Sequence, residues 1–394
     1  MASSNIPKQR RSGVSKLVLL RSGADYFRKL EELIGEAQEE IHLQTYILEP
    51  DRTGMKIAEA LIAAARRGVR IFLMLDAFGS SSFNGSVFDR LVQAGVIIQF
   101  YGRLFQKGRF HLGRRLHRKV FVADGHIALV GGINISEKYD SADGHVPWLD
   151  FAVWVEGPVA RRLRLICRQR WLNIRIRKKS QYLRHPCMPE QEYELLSGSV
   201  RVTQNDFLRK KNEIAISYRR AIRESRESLV IVGGYFLPGG KIRRLLRAAR
   251  KRGVSIRLLL AAKSDVMISV YARQYLYRWL VRHGIEIHEY LPANVHGKVL
   301  VADGRFVSIG SYDLNNLSTY SNIELNLSIL HEPFVDDLKK CLEEIIAHDC
   351  RQVDAVRLRA RESALYLFRC WVAYRVTKTL FGLAWLLSKS GTKG

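Results

Sequence analysis

Cysteine is scarce. The 394 residues hold five, Cys167, Cys187, Cys341, Cys350 and Cys370. The number is odd, the spacing is irregular and no C-x-x-C occurs, which excludes a disulfide scaffold and a zinc ribbon and fits a reducing compartment. Acidic residues are also short: 38 Asp and Glu stand against 64 Lys and Arg, a formal net charge of +26. An excess of that size calls for an anionic partner, either nucleic acid or an anionic membrane. The first sixteen residues are polar and basic, with no apolar run behind them, so neither a secretory signal nor an N-terminal membrane helix is expected and the bulk of the chain is expected in the cytosol. H-E-x-x-H, EF-hand loops and Cys/His clusters are missing, and the remaining histidines, His283 and His288 among them, show no ligand spacing; no metal and no cofactor is expected. The glycine-rich stretch Gly233–Lys241 is not a phosphate-binding P-loop, because Tyr235 stands where that loop needs glycine.

What is present is a repeat. An apolar strand ending in Tyr46-Ile47 returns as one ending in Tyr235-Phe236. A helix rich in Ala and Arg, closed by Gly68 and followed by a strand, returns with Gly253 at the same place, where a helix C-terminus needs it. Ala94-Gly95-Val96-Ile97 returns as His283-Gly284-Ile285-Glu286. One unit of strands alternating with helices is used twice, which predicts an α/β chain with largely buried sheets. The expected division is a basic tail over 1–16, a first domain over 17–189, a second over 190–350 and a basic, apolar C-terminal segment over 351–394. A linker is expected at Arg177–Ser199.

The repeat carries polar residues at fixed spacing. His117, Lys119, Asp124, Gly131-Gly132 and Asn134 answer to His296, Lys298, Asp303, Gly310-Ser311 and Asp313, and the two histidines lie 179 residues apart. Each His and Lys, two apart on a strand, share a face. Asp124-Gly125 and Asp303-Gly304 read as hairpin turns whose carboxylates serve local backbone N–H groups. Two His and two Lys suit a phosphodiester. Lysines stabilise the charge gained at the transition state, one His attacks phosphorus, and the other protonates the leaving alkoxide.

On these residues the chain resembles the phospholipase D superfamily, whose signature is a duplicated H-x-K-x4-D, over roughly residues 17–350. Phe110–Lys119, Trp148–Pro158 and Asn322–Asn326 make it most similar to the bacterial cardiolipin synthases of the B type. The resemblance implies two tandem phospholipase D-like α/β/α domains with pseudo-twofold symmetry and one site between them. It implies His117 as nucleophile and His296 as general acid and base, roles that the near-symmetry allows to be exchanged. Lys119 and Lys298 would grip the phosphoryl oxygens, with Asn134, Ser311 and Asn315 as phosphate donors. Asp150 and Glu324 would orient a His ring. Asp124 and Asp303 complete the signature, in a role more structural than chemical. One departure is plain: the family pattern G-S-x-N-x-D reads here Gly310-Ser311-Tyr312-Asp313-Leu314-Asn315, so a carboxylate stands at the usual amide.

The segment Ala364–Leu387 is apolar and aromatic and long enough to span a bilayer, but Arg369, Arg375 and Lys378 interrupt it. The expectation is a helix in the headgroup region, with packing on the protein's own core as the competing reading. Basic runs such as Arg161–Arg164 and Arg175–Lys179 suit anionic lipid and nucleic acid equally. The apolar tail tips the choice to a peripheral protein on the cytosolic face of an anionic phospholipid membrane, and away from nucleic acid as a partner. The implied reaction is phosphatidyl transfer that makes cardiolipin from phosphatidylglycerol. Lipid hydrolysis, a nuclease, and an inactive membrane-binding module are the alternatives. Nothing in the sequence sets the oligomeric state.

Overall fold

The computed structural model describes residues 16–102, 105–106, 109–110, 114–141, 144–175, 199–356, 358 and 363–390. The first half contributes β1 (Lys16–Arg21), β2 (Glu40–Thr45), β3 (Arg70–Asp76), β4 (Ile97–Tyr101), a small hairpin of β5 (Phe105–Gln106) and β6 (Arg109–Phe110), β7 (Lys119–Ala123), β8 (Ile127–Gly131) and β9 (Phe151–Glu156). Its helices are α1 (Ala24–Glu36), α2 (Arg52–Arg66), α3 (Ser86–Gln93) and α4 (Pro158–Arg175). The second half contributes β10 (Val200–Asp206), β11 (Lys211–Asn212), β12 (Ser228–Gly233), β13 (Ser255–Ala261), β14 (Glu286–Tyr290), β15 (Lys298–Ala302), β16 (Phe306–Gly310), β17 (Glu324–Ile329) and β18 (Cys350–Val353). Its helices are α5 (Glu213–Glu224), α6 (Gly240–Lys251), α7 (Met267–Arg282), α8 (Asn316–Tyr320), α9 (Glu332–His348) and α10 (Ala364–Ser390).

The repeat is visible in the strand orders, β1-β9-β8-β7-β2-β3-β4 and β11-β10-β17-β16-β15-β12-β13-β14-β18. In each half three strands run parallel through helical crossovers, and the motif strand and its hairpin partner join them antiparallel. The expected glycine ends are there: Gly68 and Gly253 take φ of 94° and 89°, a backbone that favours glycine, after α2 and α6. β18 adds to β14 through residues 350–353, so the second sheet runs past the expected domain end at 350. The expected linker at 177–199, except Ser199, lies outside the described residues, as do residues 1–15 of the tail.

Alternating apolar residues bury both faces of each sheet. α1, α2 and α3 cover the outer face of the first sheet, and α5, α6 and α7 that of the second. The inner faces share one core that runs from Val130, Phe151 and Val153 through α4 and α9 to Val299, Ile309 and Leu327. Each such side chain stabilises the packed state by about 1.5–3 kcal/mol, so the halves are held as one body and a site on their seam is rigid. α10 packs on α7, with Tyr374 stacked on Tyr275 and the Tyr366 hydroxyl donating to Gln274. That is the competing reading for one face of the tail. The other face leaves Leu365, Phe368, Trp371, Val376 and Leu380 exposed. Among the described residues no helix is long and apolar enough to cross a membrane.

Candidate active site

Both motif strands begin at the seam. The chain before β7 pairs with the chain before β17: the His117 N–H donates to the Ile323 carbonyl at 3.0 Å, and the Ile323 N–H donates to the Arg115 carbonyl at 2.9 Å. In the mirrored position the Leu149 carbonyl accepts the N–H groups of His296 and Gly297 at 2.8 and 2.9 Å. Backbone pairing across the halves therefore sets where each histidine stands. The two rings face each other with centroids 6.5 Å apart, a spacing on the scale of one phosphate group.

The acids are exchanged. His117 Nδ1 meets Glu324 of the second half at 3.0 Å, and His296 Nδ1 meets Asp150 of the first half at 2.6 Å. The resemblance marks the two acids as ring-orienting groups but does not reveal this crossing. A carboxylate on Nδ1 fixes the tautomer and leaves Nε2 for chemistry. Room for Asp150 comes from the motif glycine: a Cβ on Gly132 would collide with the Asp150 carboxylate. The other half has Ser311 there, and its hydroxyl instead bonds Glu324 and the Leu325 backbone.

Lys119 and Lys298 are buried, and each ammonium donates to the carbonyl of its own motif histidine. Burial and the neighbouring Lys298 push Lys119 down, while Glu324, Asp150 and Asp313 pull the other way. Burial, Lys298 and Lys119 hold His296 well below the usual histidine range. Burial raises Asp150 against the pull of Lys298. Burial would raise Glu324 too, but the His117 charge and hydrogen bond outweigh it and the carboxyl is lowered.

The remaining expected residues divide. Asn134 is fully buried, but its amide donates to the Tyr139 hydroxyl at 2.9 Å and its oxygen accepts from the Ile47 N–H at 3.2 Å. It thus supports Tyr139, whose ring lies edge-on to His296 at 5.3 Å. Asn315 is not turned to the cleft as a phosphate donor: its oxygen caps α8 through the Ser318 N–H and its amide donates to the Tyr235 carbonyl. Ser311 is likewise occupied by Glu324 and Leu325. Asp313 occupies the Asn134 position. Its carboxylate lies 3.6 Å from Lys298 Nζ and accepts from the Tyr235 N–H, and burial raises its pKa.

Asp124 and Asp303 stand apart from the chemistry. Each lies five strand residues beyond its motif lysine, about 16 Å. Both sit at positive φ in tight turns. Asp124 accepts the N–H groups of Gln38, Glu39 and Glu40, and Asp303 those of Arg226, Glu227 and Ser228. They tie each hairpin to the strand beside it, so within the signature they hold the turns and are not catalytic groups.

Several site residues carry no sequence signal beyond the repeat. Tyr46 and Tyr235, repeat landmarks in sequence, line the cleft; Tyr46 is edge-on to His117. Trp148 lies 6.4 Å from His296. Buried Asp76 accepts the Leu116, Phe78 and Gly79 N–H groups and so fixes the segment entering His117. Among the described residues no group of three His, Cys, Asp or Glu side chains forms a metal-binding cluster.

Two exchanged His–acid pairs and two buried lysines on the seam of a duplicated α/β body define a phospholipase D-like enzyme. The family model described as "Cardiolipin synthase, PLD-like domain" matches residues 30–143 and 218–346. The chain belongs to that family. It is 34% identical to cardiolipin synthase B of Escherichia coli K12 over 350 residues, 88% of this chain and 84% of the relative. It is 30% identical to a cardiolipin synthase of Geobacillus sp. WCH70 over 83% of this chain and 65% of that one. Among solved structures, the phosphatidylserine synthase of Haemophilus influenzae Rd KW20 aligns over 96% of this chain and 98% of its own, with a TM-score of 0.70 at 12% identity. A polyphosphate kinase from Porphyromonas gingivalis aligns over 93% of this chain and 53% of its own, with a TM-score of 0.58 at 16% identity. These two likenesses show the fold.

Proposed function

We propose that the chain joins two phosphatidylglycerol molecules into cardiolipin and glycerol through a covalent phosphatidyl-histidine. Family membership makes it a phosphatidyltransferase with phospholipid substrates. The observation that carries the finer reading is the pair of facing histidines, each on a carboxylate from the opposite half.

In the first step a neutral imidazole nitrogen bonds phosphorus while the P–O bond to the glycerol headgroup breaks. The departing oxygen takes its proton from the other, protonated histidine. In the second step that histidine, now neutral, accepts the proton of an incoming hydroxyl. The hydroxyl oxygen bonds phosphorus, the N–P bond breaks and the first imidazole is restored. Lys119 and Lys298 face the charge that develops on the phosphoryl oxygens, in a buried site where it is worth most.

The surroundings favour one division of labour. His296 is the more buried ring, and its neighbours disfavour its cation, so it suits the nucleophile. His117 faces the ionised Glu324 and suits the proton donor. This reverses the order carried by resemblance. A basic surface and the exposed apolar face of α10 support peripheral binding to an anionic membrane, and its cytosolic side is part of the proposal.

The test is mass spectrometry of products from phosphatidylglycerol vesicles, with and without phosphatidylethanolamine. Cardiolipin with released glycerol is expected. Phosphatidic acid alone would make water the acceptor and overturn the transferase reading. With a donor whose leaving group needs no proton, His117→Ala is expected to form phosphatidyl-His296, detected on the intact protein. Adduct formation by His296→Ala instead would restore the opposite order.

A further inference from the structure

The two cleft tyrosines have different neighbours. The Tyr46 ring has the Lys119 ammonium 5.4 Å from its centroid and His117 at its edge. The Tyr235 hydroxyl, in contrast, donates to Asp265 Oδ1 at 3.0 Å. Asn294, two residues before His296, donates to the same oxygen at 3.2 Å, and the Ser264 hydroxyl does so at 3.1 Å. Asp265 is exposed on the loop between β13 and α7. Tyr235 is half-buried, and its N–H reaches Asp313 beside Lys298. Tyr139, edge-on to His296, feels the charge of Asp265. The rim of the cleft beside His296 therefore carries a carboxylate, oriented by three donors that all meet one oxygen.

We infer that Asp265, positioned by Tyr235 and Asn294, binds the hydroxyl groups of a glycerol headgroup on the acceptor. The inference rests on the transferase reading. A phosphate would be repelled by this carboxylate and is served by the lysines below it. Oδ1 is occupied by its three donors, which leaves Oδ2 to accept from a ligand O–H. A carboxylate acceptor is among the stronger hydrogen-bond partners for a hydroxyl. A cationic headgroup would satisfy the carboxylate too, but the field of a chain with net charge +26 disfavours it. Pseudo-symmetry makes the difference meaningful: the Asp265 carboxylate marks the rim at Tyr235, whereas Tyr46 lies against Lys119 and His117, so the two lipids that meet in the cleft are told apart by their headgroups.

The experiment sets deuterated glycerol against ethanol, and in a parallel run ethanolamine against ethanol, at equal concentrations, as acceptors on phosphatidylglycerol vesicles. It reads the ratio of labelled phosphatidylglycerol to phosphatidylethanol. Both products form on the same enzyme molecules, so the ratio does not depend on how much protein is folded. Asp265→Asn is expected to lower the ratio about tenfold, and Tyr235→Phe about threefold, as when a site loses a group that reads a hydroxyl. An unchanged ratio in both variants overturns the inference. So does a loss confined to ethanolamine as acceptor, which would make this an ammonium site. Wild-type protein that forms phosphatidic acid but no labelled product overturns the transferase reading, and this inference with it.

Discussion

Where the first half of the molecule sets Asn134 the second sets a carboxylate, Asp313, and it adds another, Asp265, on its cleft tyrosine. Asn134, Gly132 and Tyr46 beside Lys119 stand on one side; Asp313, Ser311 and the Tyr235–Asp265 pair stand on the other. The order of seven strands, the hairpin turns and the His–Lys pairs are the same in both, with β11 and β18 added at the edges of the second sheet. The duplication therefore preserves what builds the site and varies what sorts its ligands. The exchanged acids show the same logic, because each half orients the other half's ring and neither is complete alone.

Removing either histidine tests that dependence most severely. His117→Ala and His296→Ala are each expected to lower kcat for lipid turnover by about 10⁴-fold or more, since members of one catalytic unit do not act additively. Substantial turnover by either variant would break the two-histidine reading. Glu324→Gln and Asp150→Asn come next, with losses of about 10²–10⁴-fold, because each leaves a ring without its orienting charge. The crossing itself is tested by Nδ1 proton chemical shifts: Glu324→Gln should move the His117 signal and Asp150→Asn that of His296, and the opposite pattern would undo the exchange.

The signature aspartates are expected to affect folding more than turnover. Asp303→Ala removes the acceptor of three backbone N–H groups, which water can partly replace at the exposed Arg226 and Glu227, at a cost of about 0.5–1.5 kcal/mol for each bond lost. Urea denaturation should show that loss, while kcat of the folded fraction stays within about twofold, because the turn is about 16 Å from the lysine. A large fall in kcat at full folding would return Asp303 to the chemistry. The smallest effect concerns Asp313. Its pKa is raised on folding, so the folded state binds the extra proton, and stability falls as pH rises above the ordinary carboxyl value of about 3.8. Asp313→Asn makes the two halves alike and removes that decline. A tenfold difference in proton affinity between the folded and unfolded states is worth about 1.4 kcal/mol, and denaturation midpoints at pH 4 and pH 8 would measure it. An unaltered pH dependence would mean that Asp313 holds its charge in the fold.

Much of this is legible in residue order. The repeat, the glycine helix ends, the Asp-Gly hairpins and the two His–Lys faces follow from local rules, and the structure has them where spacing puts them. What spacing cannot supply is contact across the seam. Asp150 and Glu324 can be marked as ring-orienting acids, but which ring each serves depends on the pairing of Leu149 with Val295 and of Leu116 with Ile323. Resemblance turns Asn315 toward phosphate, but the turn after Asp313 makes it the cap of α8 instead. The basic runs read as a surface, yet Arg164 bonds buried Glu40, and Arg252 donates to the carbonyls of Ile222 and Ser225 at the end of α5. A charge count does not separate arginines that hold the fold from those that face a membrane. The tail's composition likewise hides that one of its faces lies on α7.

The exchanged carboxylates bear on the order in which the molecule is made. While synthesis has completed only the first half, His117 has no Glu324 to hold its ring, Asp150 orients nothing and the second histidine does not exist. Reactivity toward phosphodiesters thus begins only once the seam has closed, and the capacity to cut a lipid is itself the report that both halves have folded against each other.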